Sequence, residues 1–263
     1  MKLRVFVRSV VVMFALAALG GLALWYIGLS LDELGYKWRW ERIPQFLFYR
    51  NDATGAWQAG LLAKGFVMTL KLSVVAIACS LVCGVVVGVC RIAQEPVLRW
   101  TTGIYVELVR GTPLLVQIYG IYFLVGSAFQ MSKFVAGVVA LTVFTSAYIA
   151  EMVRGGIESI DRGQMEASRA LGLSWTQSMV HVIMPQAMRR MIAPLTGQFI
   201  SLIKDSSLVS VAAVTELTLA GKQIQGTYFL TMEVWITIAV LYLGMTIPLS
   251  FLSRYLEKRF AYK

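Results

Sequence analysis

Charge is scarce in this chain of 263 residues: Asp, Glu, Lys and Arg make up 14% of it, against 58% hydrophobic residues. So little polar material cannot cover the surface of a soluble domain, which excludes a free-standing water-soluble enzyme or binding module and places the chain in a bilayer. Histidine is rarer still, with His181 alone. That leaves no cluster of metal ligands and no nucleophile–base pair, and it argues against a membrane-anchored enzyme. The cysteines Cys79, Cys83 and Cys90 share one apolar stretch, where they read as small packing residues rather than as a disulfide or zinc framework. A phosphate-binding loop is also missing, since Gly221-Lys222 has neither the preceding glycine nor the following hydroxyl of Gly-x-x-x-x-Gly-Lys-[Ser/Thr]. No cofactor is expected in the chain itself.

Long apolar runs are what the sequence does have. Spanning the ~30 Å hydrocarbon core takes about 20 residues per helix, and six candidates fall at roughly 9–29, 66–90, 105–127, 134–154, 191–213 and 232–252. This predicts an all-α integral membrane protein. The net charge of +10 is spread over span ends rather than gathered on one soluble face, so it reads as topology and not as nucleic-acid binding. Placing both termini in the cytoplasm puts Lys2, Arg4, Arg8, Arg91, Arg99, Arg162, Arg169, Arg189 and Arg190 inside, with Arg254, Lys258, Arg259 and Lys263. Lys37, Arg39, Arg42, Arg50, Lys133 and Lys222 fall outside. The first apolar run exceeds the usual core of a signal peptide and is expected to be a retained anchor. Residues 1–58 then form an anchor and an outer surface segment rich in interface-type rings (Tyr36, Trp38, Trp40, Phe46, Phe48, Trp57), and 59–263 form the membrane domain proper. Within the second run Ala76, Ser80, Gly84 and Gly88 recur every fourth residue, a stripe that lets another helix come close.

The longest predicted cytoplasmic loop, about 155–190, contains EASRALGLSWTQSMVHVIMPQAMRR (166–190). Asp161 with Gln164, and again Ser174 with Gln177, have capping-box spacing. Gly172 can end the first helix in the left-handed conformation, and Pro185 is expected to limit the second. Trp175, Met179, Val182 and Ile183 give the second helix an apolar side. It either folds back onto the inner ends of the spans or is presented to a groove in a partner.

Glu166-Ala167-Ser168, then Gly172, then Val182-Ile183-Met184-Pro185 resembles the EAA loop of ABC-importer permeases, whose pattern is Glu-Ala-Ala, glycine, Ile-x-Leu-Pro at this spacing. The departures, Ser168, Val182 and Met184, are small. VELVRGTPLLVQIY (106–119), AYIAEMVRGGIESIDRGQMEAS (147–168) and SLIKDSSLVSVAAVTEL (201–217) are similar to permeases of the polar-amino-acid type, and the likeness covers about 60–256. The resemblance implies the type I importer permease fold in the bacterial inner membrane. It implies a pair of permease chains, identical or sister, two ATP-binding subunits that hold ATP and Mg, and a periplasmic amino-acid-binding protein. It also implies that Glu166, Ala167, Ser168, Gly172, Trp175, Met179 and Pro185 form the element seated in the ATPase.

Ionisable residues at membrane depth are costly unless paired or hydrated, and so mark functional candidates. Counting from Met191 at 1.5 Å per residue puts Asp205 roughly 21 Å into its span, where Lys204, Asp205, Ser206 and Ser207 interrupt an apolar run. Two readings stay open: a patch lining the path of a zwitterionic substrate, or a self-satisfied pair bracing helices. Glu151 and Arg154 read first as a brace and second as path candidates. Arg110 and Thr112 stand where Gly111 and Pro113 loosen a helix toward an inner mouth, with Glu107 one turn before. Lys64 and Lys71 are expected to snorkel. The rival function is an ion-coupled secondary carrier or channel, which should show its own midplane ion site and often an inverted repeat. No such repeat is visible.

Overall fold

The structure, a computed structural model, describes residues 13, 17–22, 25–26, 28–30, 35–53 and 55–260. About half of the first predicted span, and the terminal charges Lys2, Arg4, Arg8 and Lys263, lie outside the described residues. Two compact units divide between Glu41 and Arg42. In the first, Tyr36 meets Trp38 edge-on at 5.2 Å and Trp38 stacks on Trp40 at 5.6 Å.

The second unit starts with a short helix α1 (Pro44–Leu47) and an antiparallel hairpin, β1 (Phe48–Arg50) with β2 (Trp57–Ala59). The hairpin lies wholly in the second unit, and a boundary drawn at residue 58 runs through β2. Its turn is held by Asn51 Oδ1, which accepts from Ala53 N at 2.9 Å, and by Gly55 in the left-handed region at φ 66°. The remaining elements are helices: α2 (Leu61–Cys90), α3 (Pro96–Arg110), α4 (Leu114–Tyr119), α5 (Lys133–Glu158), α6 (Arg162–Ala170), α7 (Trp175–Ser178), α8 (Met184–Asp205), α9 (Leu217–Tyr228) and α10 (Thr231–Phe260).

Among the described residues α2, α5 and α10 are long and apolar enough to cross a membrane, and α3 with α4 makes a fourth crossing if that bent pair is one span. The predicted span 105–127 is not one helix. The chain turns by 105° between α3 and α4, because Pro113 has no amide hydrogen to donate and drives the residue before it out of the helical region. The predicted span 191–213 also needs correction. Its helix α8 begins at Met184, within the loop predicted at 155–190, and the far end narrows to a 3₁₀ helix, Ser206–Ala212, closed by Ala213 at φ 54°. Helix α9 was not anticipated.

The stripe on α2 works as its spacing suggests. Ala76 and Ser80 are fully buried, and a Cβ on Gly84 or Gly88 would lie only 2.5 Å from Ile149 Cβ or 2.6 Å from Val153 Cβ on α5. Backbones this close allow no side chain between them, so α2 and α5 form one seam. Helix α3 hangs on α5 through Tyr105, whose hydroxyl donates to the Val143 carbonyl at 2.8 Å and lies 2.7 Å from Ser146 Oγ. Helix α8 is tied to α10 where Thr196 and Ser253 hydroxyls meet at 2.6 Å. The outward faces of α2 and α10, including Val74, Val82, Val240 and Leu243, stay exposed, as lipid-facing surfaces do.

Candidate functional site

The two short helices after α5 are joined by a turn whose hydrogen bonds are nearly all made locally. Asp161 caps α6 by accepting from Gly163 N at 2.7 Å. Gln164 does not complete the expected box, because its Oε1 accepts from Gln186 Nε2 at 3.3 Å instead. At the other end Gly172 N donates to Arg169 O (3.0 Å) and Leu173 N to Ser168 O (3.2 Å), with Gly172 at φ 87°. This pair of bonds is the Schellman arrangement, and it needs the left-handed residue that glycine supplies without a Cβ clash. The second box is complete: Gln177 N donates to Ser174 Oγ (3.2 Å) and Ser174 N to Gln177 Oε1 (2.8 Å).

Beyond Ser174 the chain does not stop at Pro185. Helix α7 passes through a π turn, Met179–Ile183, into α8, where Pro185 occupies the first turn. The expectation that proline limits this helix fails because a first-turn proline gives up an amide that would have no intrahelical partner, and the wide turn before it re-routes the bonds that the ring would block. The apolar side of this segment folds back. Met179 and Ile183 are buried in a cluster with Val153, Ile157 and Ile160, and Trp175 and Val182 pack on its edge. Met179 and Trp175 therefore face their own chain, not outward. Ser168 is buried too, donating to Met165 O at 2.8 Å. Glu166, Ala167, Gly172, Pro185 and His181 are exposed, and Leu171 at the turn is 85% exposed.

Just above this loop, Glu151 on α5 gathers arginines from three places. Arg91 at the end of α2 and Arg154 one turn along α5 both pair with it, and Arg110 at the end of α3 lies 3.8 Å away. Arg154 also pairs with Glu158, and the Arg110 guanidinium sits 5.4 Å from the Tyr148 ring centre. The i,i+3 pair expected on α5 is present, whereas Arg110 turns to Glu151 rather than to Glu107. One carboxylate shared by three guanidiniums is a clamp on three helix ends, and it leaves little of Glu151 for a ligand.

The break between α3 and α4 is stitched by side chains. Thr112 Oγ1 donates to Leu108 O at 3.0 Å, and Gln117 Nε2 donates to Val109 O at 2.7 Å and to Thr112 Oγ1 at 2.8 Å. At the far end of α8, Lys204 is exposed and Asp205 partly buried. Neighbours in sequence project in different directions on a helix, and among the described residues no ion pair joins these two. Ser207 stays partly open, but Ser206 is fully buried and donates to its own helix at Ile203 O, 2.7 Å away. Ser206 is therefore packed within the chain, with its hydroxyl satisfied by its own helix.

A loop of two capped helices hung beneath broken and polar membrane helices is one fold family's arrangement, and residues 80–262 match the family of binding-protein-dependent transport system inner membrane components. The chain belongs to this family. Among its relatives, the probable glutamine ABC transporter permease protein GlnM of Bacillus subtilis (strain 168) is 44% identical over 196 residues, 74% of this chain and 91% of the relative. The glutamine transport system permease protein GlnP of Escherichia coli (strain K12) is 42% identical over 212 residues, 79% of this chain and 97% of the relative. A crystal structure of an amino acid ABC transporter with histidines superposes with a TM-score of 0.70 at 37% identity, covering 76% of this chain and 94% of that one. An inward-facing MetNI methionine ABC transporter structure, 24% identical with a TM-score of 0.68 over 77% of this chain and 97% of that one, shows the fold alone.

Within this inner-membrane component several site residues were not visible from sequence. Arg91 joins a carboxylate 60 positions away, and no local pattern announces that. Glu216 is fully buried and caps α9, accepting from Thr218 N (2.7 Å) and Leu219 N (2.8 Å), with the Tyr242 hydroxyl donating to it at 3.2 Å. Beside it Leu217 N donates to Thr69 Oγ1 at 3.1 Å. An acid directly before the Leu217-Thr218-Leu219 run was the available signal. It was missed because glutamate ranks below Ser, Thr, Asp and Asn at that position. Leu171 carried a signal as well, being an apolar residue in a turn next to glycine.

Proposed function

We propose that this chain is a permease subunit of an ATP-driven ABC importer that moves a polar amino acid across the inner membrane. The observation that carries this reading is the Gly172 turn: two capped helices, anchored on the inner end of α5, that hold Glu166, Ala167 and Leu171 out from the apolar body. The chain pairs with a second permease, identical or sister. Two ATP-binding subunits seat the turn and hold ATP and Mg, and a binding protein delivers the amino acid on the opposite side. Both termini lie in the cytoplasm. Trp175 and Met179 serve this coupling indirectly, by fixing the turn to α5, while Glu166, Ala167 and Gly172 make the contact surface. Lys204, Asp205 and Ser207 line the path, with Arg110 and Thr112 at its inner mouth, and Glu151 holds that mouth in shape. Relatives named for glutamine support an amino acid with an uncharged polar side chain as the first cargo to try.

The test is reconstitution of the complex in vesicles with labelled glutamine and its binding protein. Uptake is expected only with ATP on the ATPase side, and transport driven by an ion gradient alone in the purified chain would overturn the reading. Gly172→Asp adds a side chain to a left-handed residue at roughly 1–2 kcal/mol, although no atom lies within 4 Å of the added Cβ. The cost is therefore one of backbone, which tilts α7 against α6. Insertion should survive, while the ATPase subunit is lost in a pull-down or no longer responds to the loaded binding protein. Full docking with full stimulation in that variant would remove the turn from its assigned role.

A further inference from the structure

Away from the loop and the polar patch, a cleft of about 600 Å³ opens between the hairpin, α2 and α10. Phe48 and Ala59 of the two strands form one wall, Val67 and Met68 of α2 the floor, and Leu241 of α10 the far side. The only charged residues lining it are Lys64 and Lys71, and no carboxylate does. The two lysines are seven residues apart, two helical turns or ~10 Å along one face of α2. Both are exposed, and among the described residues neither has an ion-pair partner. Lys71 stands between Leu70 and Leu72 well inside an apolar helix. An ammonium at that depth is costly unless its stem lies along apolar surface and its head reaches an anion.

An apolar cleft beside two unpaired cations, on a surface that faces the bilayer, fits an amphiphile with an anionic head. We propose that it binds one anionic phospholipid of the leaflet on the hairpin side, with the phosphate between Lys64 and Lys71 and an acyl chain against Val67, Met68 and Leu241. Basic pockets between membrane helices hold acidic lipid headgroups by this chemistry. The inference rests on membrane placement alone and stands whichever amino acid is carried.

The experiment uses the assembled complex, purified in detergent, stripped of lipid and titrated with phosphatidylglycerol or phosphatidylcholine under native mass spectrometry. Wild type should retain one phosphatidylglycerol per chain at least tenfold more tightly than phosphatidylcholine. Lys64→Gln with Lys71→Gln should erase that preference, and Lys64→Arg with Lys71→Arg should keep it. Val67→Trp, which fills the cleft with the lysines intact, should also lose the lipid. Glycerol phosphate should not compete, because it has no chain to bury. Co-elution of the partner subunits checks that each variant is assembled, and if the glutamine pair fails to assemble, Lys71→Gln alone and Val67→Trp give the same reading. The proposal is overturned by equal retention of the two lipids, by an unchanged preference in the glutamine pair, or by competition from glycerol phosphate. It is overturned equally if Val67→Cys cross-links to the 9–29 segment or to a second permease chain while no lipid is held.

Discussion

Two polar regions sit at opposite ends of the membrane helices, and they are built in opposite ways. Around Glu151 every charge has found another: Arg91, Arg110 and Arg154 converge on one carboxylate, and Glu158 takes the second contact of Arg154. Around Asp205 the charges stay apart, with Lys204 exposed and no ion pair between the two. A cluster satisfied from within holds helices in place and has little left to offer a passing molecule. An unpaired carboxylate at depth keeps its capacity to accept. The difference fits the proposed division, in which the first region braces the helices and the second meets the cargo.

The comparison can be broken first at its strongest point. Glu151→Gln would leave three guanidiniums around a neutral amide, and since Glu151 is 25% exposed the cost should fall below the roughly 3–5 kcal/mol of a fully buried pair, at about 2 kcal/mol. Thermal unfolding of the complex in detergent should show a clear drop in Tm; an unchanged Tm together with a selective loss of uptake would move Glu151 to the cargo path. Asp205→Asn should do the reverse, with uptake falling about tenfold, which corresponds to 1.4 kcal/mol, while Tm and subunit co-purification hold. Normal uptake in the assembled variant would return Asp205 to a bracing role. Smaller still is Gln117→Ala, which removes the amide that spans the α3–α4 break and should cost about 1 kcal/mol, read as faster proteolysis or hydrogen exchange at 109–117. Ser206→Ala sharpens the line inside the patch. Its hydroxyl bonds only its own helix, so uptake should stay within about twofold and stability within about 0.5 kcal/mol; a large loss of uptake would place Ser206 on the path.

What could be read from sequence was local. Ser174 with Gln177 and the left-handed Gly172 follow from residues three or four apart, and the structure has both. Asp161 with Gln164 shows the same spacing, yet Gln164 is drawn to Gln186, 22 positions on, a competitor that no local pattern reveals. Arg91 met Glu151 for the same kind of reason. Pro185 was misread because proline breaks a helix interior but is tolerated in a first turn. Helix α9 escaped notice because Lys222, Gln223 and Gln225 make it too polar for a span, and its burial depends on α2 and α10 closing around it. Family motifs identified the loop, but they could not tell that Trp175 and Met179 point inward, since burial is a property of the assembled body.

The seam between α2 and α5 has a mechanical consequence. With Gly84 and Gly88 admitting no gap against Ile149 and Val153, the two helices cannot slide past one another, and they behave as one stiff beam. The inner end of α5 carries the turn that the proposal seats in the ATPase, through the cluster of Ile157, Ile160, Met179 and Ile183. A rod of 26 residues is ~39 Å long, so a tilt of about 10° imposed at the inner end swings the outer end by roughly 7 Å. On the proposed seating of the turn, a tilt imposed through it would reach the outer end of α5 as a displacement on the scale of an amino acid.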